Sequence, residues 1–159
     1  SDMHKYFQYY LYDANTKTLI THAGLHQYIW NQYALTFENL EDKLFEWKRD
    51  QYYTSPIYWI GNARGGVDVI GGIFWCDWNT EFKPIEGLTQ IFGHTGNINI
   101  HKDTNNGIRR HGINYNLDCL YRRLEVLEFD PDTKKLAIID LTEQFNNWRP
   151  NENRKAATN

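Results

Sequence analysis

Aromatic side chains constrain this chain more than any other feature. The sequence holds 6 Trp, 11 Tyr and 8 Phe, 16% of its residues. Rings at that density fit half-buried pleated surfaces and favour strands. Tyr6 to Tyr12 is an aromatic run that reads as a strand, residues 13–17 as a turn, and Thr18 to His22 as the returning strand of a hairpin. The period then changes. Thr36 suits a helix N-cap, and Phe37, Leu40, Leu44 and Trp47 recur at steps of three and four, which predicts a helix over 37–51. A shorter helix is expected over Gln27 to Tyr33.

The rest reads mostly as β. Gly61 to Gly66 must be a loop and Gly71-Gly72 a second close bend. Strands are expected over Thr89 to Gly93, within Arg109 to Asp118, over Arg123 to Phe129 and over Leu136 to Leu141, with a turn at Asp130-Pro131-Asp132-Thr133. The order of elements predicts an α+β domain. At 159 residues one domain is the expectation, with residues 149–159 as a disordered polar tail.

Charge and cysteine usage exclude several classes. A net charge of -3 argues against a strongly basic nucleic-acid binder. No apolar run approaches the roughly 18 residues of a membrane span. No basic-then-apolar leader is visible, and Cys76 and Cys119 lack CxxC spacing, so a cytoplasmic protein with reduced thiols is expected.

Chemistry concentrates at two histidines. His22 and His94 each close an expected strand and stand beside small residues, in Thr21-His22-Ala23-Gly24-Leu25 and Phe92-Gly93-His94-Thr95-Gly96. A histidine at a strand end with small neighbours can be approached by other groups, as a metal ligand must be. A lone histidine of this kind is more often a hydrogen-bonded structural residue; two in matched contexts raise the metal reading. Arg64, in a glycine-rich loop, could grip a phosphate with its bidentate fork or pair with a carboxylate. Asp118, after a strand, would orient a ligand or cap a turn. His26, His101 and His111 read as surface residues, Trp75 and Trp78 as core, and Asp77 with Glu81 as an exposed loop pair. Neither cysteine has a base at the spacing a nucleophile needs.

These segments resemble the calcineurin-like metallophosphoesterases, in their phosphoprotein-phosphatase-like bacterial and phage branch. Thr21-His22-Ala23-Gly24-Leu25 is similar to that family's HAG motif and Gln90-Ile91-Phe92-Gly93-His94-Thr95 to its GHT motif. Arg64-Gly65-Gly66, Trp75-Cys76-Asp77-Trp78 and the strands around Ile113 to Asp118 and Arg123 to Leu127 are similar to intervening and closing segments. The likeness covers residues 6–140, while the family's earlier motifs, Gly-Asp-x-His-Gly, Gly-Asp-x-x-Asp-Arg-Gly and Gly-Asn-His-Asp/Glu, are absent.

The resemblance therefore implies the C-terminal half of such a domain over 1–148, a layered β-sandwich flanked by helices. It implies His22 and His94 on one divalent ion, Mn, Fe, Ni or Zn, of an incomplete two-metal site that hydrolyses phosphomonoesters, either phosphoprotein or nucleotide. Asp2 and His4 have the Asp-x-His spacing of the first motif but neither its flanking strand nor its glycine, and they lie close to His22. Expected partners are a phosphorylated substrate and either the missing N-terminal half or a second copy. The rival reading is a shortened, non-catalytic module that keeps the half-fold and binds a protein partner.

Overall fold

The computed structural model describes residues 8–50, 52–96, 107–119 and 124–144. Asp2, His4, His101 and the tail at 149–159 lie outside them. Two compact units emerge: the described residues within Ser1–Gly96 and Arg109–Asp118, and those within Asn97–Ile108 and Cys119–Asn159. The fold is mixed α+β, as the order of sequence patterns indicates.

The first unit is built on a five-stranded sheet. Its strands are β1 (Tyr10–Asp13), β2 (Thr18–Thr21), β3 (Thr89–Phe92), β4 (Arg109–His111) and β5 (Asn114–Asn116), in the order β1-β2-β3-β5-β4. The centre is parallel, β2 with β3 and β3 with β5, and both edges are antiparallel. The β1–β2 hairpin agrees with the sequence pattern; Thr16 and Asn15 bond the Asp13 carboxylate in its turn. The single strand expected within Arg109 to Asp118 is instead a hairpin. Gly112, at φ 62°, turns the chain there.

Two helices cover one face. Helix α1 (Gln27–Gln32) and helix α2 (Leu40–Lys48) bury Ile29, Leu40, Leu44 and Trp47 in one apolar cluster with Leu19 of β2, Ile57, Ile73 and Leu88. The periodicity found α2, but it starts later than Thr36. Thr36 and Asn39 bond each other's backbone N–H through their side chains, so the chain makes a turn before the helix proper. Helix α1 has a cap that composition did not suggest: the His26 Nδ1 accepts from the Tyr28 N–H at 2.8 Å.

The second unit contains a two-stranded antiparallel hairpin, β6 (Glu125–Asp130) and β7 (Lys135–Asp140). Its turn is pinned by the Asp130 carboxylate, which accepts from Asp132, Thr133 and the Thr133 hydroxyl. In the same unit the Glu125 carboxylate accepts from the Ile108 N–H at 2.6 Å.

Candidate functional site

The site grows out of the sheet's parallel centre. In an open sheet, loops leaving the carboxyl ends of parallel strands converge on one edge, and ligands bind there. β2 runs into His22, β3 into Gly93 and His94, and β5 into Leu117 and Asp118, so all three loops open at that edge. The backbone ties them together: Gly93 N–H donates to the His22 carbonyl at 2.9 Å, and Leu117 N–H to the Phe92 carbonyl at 2.6 Å.

The residues just after His22 hold it in place. Ala23 N–H donates to the Ile73 carbonyl at 2.7 Å, and Gly24 N–H to the Thr21 hydroxyl at 2.9 Å. Gly24 adopts φ 95°, and a Cβ there would stand 3.0 Å from the Phe92 ring. A larger residue would therefore meet both backbone strain and a ring. The buried Gln90 side chain clamps Leu25 from β3, accepting from its N–H at 2.7 Å and donating to its carbonyl at 3.0 Å. His22 itself borders an open groove of about 710 Å³ lined by Tyr9, Tyr10, Leu11, Ile20 and Phe74.

His94 is held by strain and by its neighbour. Its φ is 70°, a left-handed conformation uncommon for a residue with a side chain. Thr95, buried and only 2% exposed, is the anchor. Its hydroxyl accepts from the Arg64 guanidinium at 2.7 Å and the Trp78 N–H at 3.0 Å. Its carbonyl accepts from Arg109 and, at 3.1 Å, from the Asn116 amide. No motif spacing singles out Asn116 or Arg109; their place at the site comes from the β4–β5 hairpin.

With both loops fixed, the two imidazoles meet. His22 Nε2 lies 2.8 Å from His94 Nδ1, a hydrogen bond in which one ring donates and the other accepts. Two imidazolium rings could not make it, since both nitrogens would be donors. Burial, Arg64 and His22 together hold the His94 pKa below its ordinary value, which keeps that ring neutral. Neutral imidazole is the form a metal binds. His94 Nε2 is enclosed and has no hydrogen-bond partner among the described residues. Two nitrogens about 2.1 Å from one tetrahedral ion stand roughly 3.4 Å apart, so a shared ion would need the pair to open by about half an ångström, lose the bridging proton and turn both lone pairs off the N···N line. Among the described residues, no third histidine, cysteine or carboxylate completes a metal-binding group with them.

The remaining candidates sort plainly. Arg64 ends a short 3-10 turn, Asn62–Arg64, and is capped by Gly65 at φ 79°. It pairs with the Asp77 carboxylate at 3.0 Å, and its Nε is enclosed without a partner among the described residues. Asp118 follows β5 beside Gly93, its N–H bonded to the Asn116 side chain at 2.9 Å. Among the described residues no hydrogen bond joins its carboxylate to either histidine.

Four readings change. His26 is buried, because Nε2 donates to the Glu81 carbonyl at 2.8 Å while Nδ1 caps α1. Asp77 is buried rather than exposed, since it accepts from Asn79, Thr80 and Arg64. Glu81 is not a loose loop carboxylate: it accepts from the Gly71 and Asp77 N–H groups, each at 3.1 Å. Trp75 is not core. It is 40% exposed, and its ring stands perpendicular to the His94 ring with centroids 5.6 Å apart. Trp78 does pack on Phe82 and Phe92, and His111 is exposed. Cys76 is fully enclosed, and burial with Glu81 and Asp77 nearby pushes its thiol far up, so it is no nucleophile.

No family model, no curated protein and no solved structure matches this chain, so its activity has to be read from the geometry around His22 and His94.

Proposed function

We propose that this chain supplies part of a two-metal centre that hydrolyses phosphomonoesters, with His22 and His94 sharing one divalent ion, Mn, Fe, Ni or Zn. The carrying observation is the 2.8 Å approach of His22 Nε2 to His94 Nδ1 at the carboxyl ends of adjacent parallel strands. Two bound ions would neutralise phosphate charge and lower the pKa of a water to make the nucleophile. The chain's own residues would do the rest. His94, kept neutral at pH 7, offers an imidazole that need not lose a proton to bind. Arg64 stands close by, on Thr95 and Asp77, and would have to leave one of those partners to reach a phosphate oxygen. Asp118 lies on the same edge and would orient a ligand. In this reading the five-stranded sheet is one layer of a β-sandwich. The bridging carboxylate and remaining ligands come from polypeptide outside the described residues.

Calorimetric titration with Mn or Zn tests the reading. Two histidines without a carboxylate partner should bind one ion per chain, weakly, and His22→Ala or His94→Ala should abolish binding while circular dichroism is unchanged. Two tight sites, or binding indifferent to both substitutions, would overturn the assignment. Hydrolysis of an aryl phosphate by this chain alone should be negligible, because a missing bridging carboxylate and leaving-group acid each cost orders of magnitude.

A further inference from the structure

Trp75 is a large ring left partly open on a loop whose backbone is closely packed. The loop around it leaves no slack. Gly71 sits against the Trp75–Cys76 backbone, and Gly72 against the carbonyls of Pro56 and Ile57, so closely that a Cβ at either would collide. Trp75 and Cys76 N–H groups both donate to the Gly72 carbonyl, at 3.0 and 2.9 Å. Glu81 holds the loop from the other side through Gly71 and Asp77. Its neighbours Ile73 and Cys76 are fully buried, yet Trp75 is 40% exposed. Among the described residues its one ring contact is with His94. A mobile surface tryptophan needs no explanation. One whose backbone is held this closely beside a candidate metal ligand, with the Arg64–Asp77 pair close by on the Thr95 side of that ligand, does.

The geometry points to Trp75 as a stacking platform for the organic half of the substrate: a phosphomonoester whose phosphate is carried by a planar aromatic group. This rests on the phosphoester reading and narrows it, away from alkyl phosphates such as phosphoserine. The phosphate would lie toward His22, His94 and Arg64, and the ring against the exposed indole. Stacking on an aromatic side chain is tolerant of ring identity, so a nucleoside monophosphate and an aryl phosphate share the required chemistry. A base on one aromatic platform typically gains about five- to 150-fold in affinity.

Adenosine monophosphate, phenyl phosphate and ribose 5-phosphate, titrated into the full chain and followed by NMR, separate the possibilities. The expected result is that adenosine monophosphate binds about five- to 150-fold tighter than ribose 5-phosphate. That gap should vanish in Trp75→Ala and persist in Trp75→Phe, with melting temperature confirming that each variant folds. Phenyl phosphate matching adenosine monophosphate assigns the platform to aryl groups in general; phenyl phosphate matching ribose 5-phosphate assigns it to nucleosides. Equal affinity for all three, a gap that survives in Trp75→Ala, or no binding by any probe overturns the proposal. A parallel Mn arm, reading line broadening of the His22 and His94 ring signals, tests the metal reading separately. A Trp75-dependent gap without that broadening upholds stacking and rejects the metal site.

Discussion

At the scale of single residues, His94 sets stability against function. A non-glycine residue at φ 70° costs on the order of 1 kcal/mol that glycine would not. His94→Gly should therefore be about 1 kcal/mol more stable than His94→Ala, although both lose the ring, and denaturant midpoints would show it. His26 illustrates a different demand. Its neutral ring donates through one nitrogen and accepts through the other, and burial holds its pKa below 6.5. Protonation removes the acceptor. The unfolded chain takes up that proton more readily, so stability is full above about pH 6.5 and falls as pH drops below it. His26→Ala should cost about 1–2 kcal/mol at neutral pH. His26→Asn can still cap α1 and should flatten part of the loss between neutral and acid pH, read from urea unfolding at both. Neither role shows in sequence, because a histidine's neighbours in space decide whether it is a ligand, a cap or a surface group.

At the scale of elements, the site depends on loops cross-linked by two carboxylates. Asp77 has a side chain 8% exposed and takes charge from Arg64. Arg64→Ala would leave it with only neutral donors, at a cost of about 2–3 kcal/mol in chemical denaturation. Glu81→Ala would free Gly71 and Asp77 together, at a similar cost of about 2–3 kcal/mol, and should weaken Mn binding at a distance from the ligands. The elements that announced themselves were those with an uninterrupted period: the Thr18–Thr21 strand behind its Asp13 turn, and the Leu40, Leu44, Trp47 face of α2. What stayed hidden was polar. β4 and β5 read Arg-Arg-His and Asn-Tyr-Asn, with no alternation to separate them, and only Gly112 marks the turn. Asn114 and Asn116 are buried because they spend their amides on Gln90, His111 and Thr95, which no propensity foretells. The paired histidine segments were legible, but their meeting required the parallel pairing of β2 with β3, a long-range fact.

At the scale of the whole molecule, an apolar pair on the β1–β2 hairpin stands open among the described residues. Leu11 and Ile20 are cross-strand partners on β1 and β2, exposed to 50% and 39%, and β1 is an edge strand. Apolar pairs at an edge invite a covering chain. Sedimentation at high concentration should show a dimer or larger species, and Leu11→Lys with Ile20→Lys should shift it to monomer. A monomer at every concentration in the unaltered chain would contradict this. The parallel centre of the sheet has a practical consequence at its opposite end. Because His22 leaves the carboxyl end of β2, the Asp13–Lys17 turn enters at the amino end, roughly 15 Å away along the strand. A fluorophore, a surface tether or a fused domain joined at Asn15 would report on or immobilise the protein while leaving the candidate metal edge open to solution.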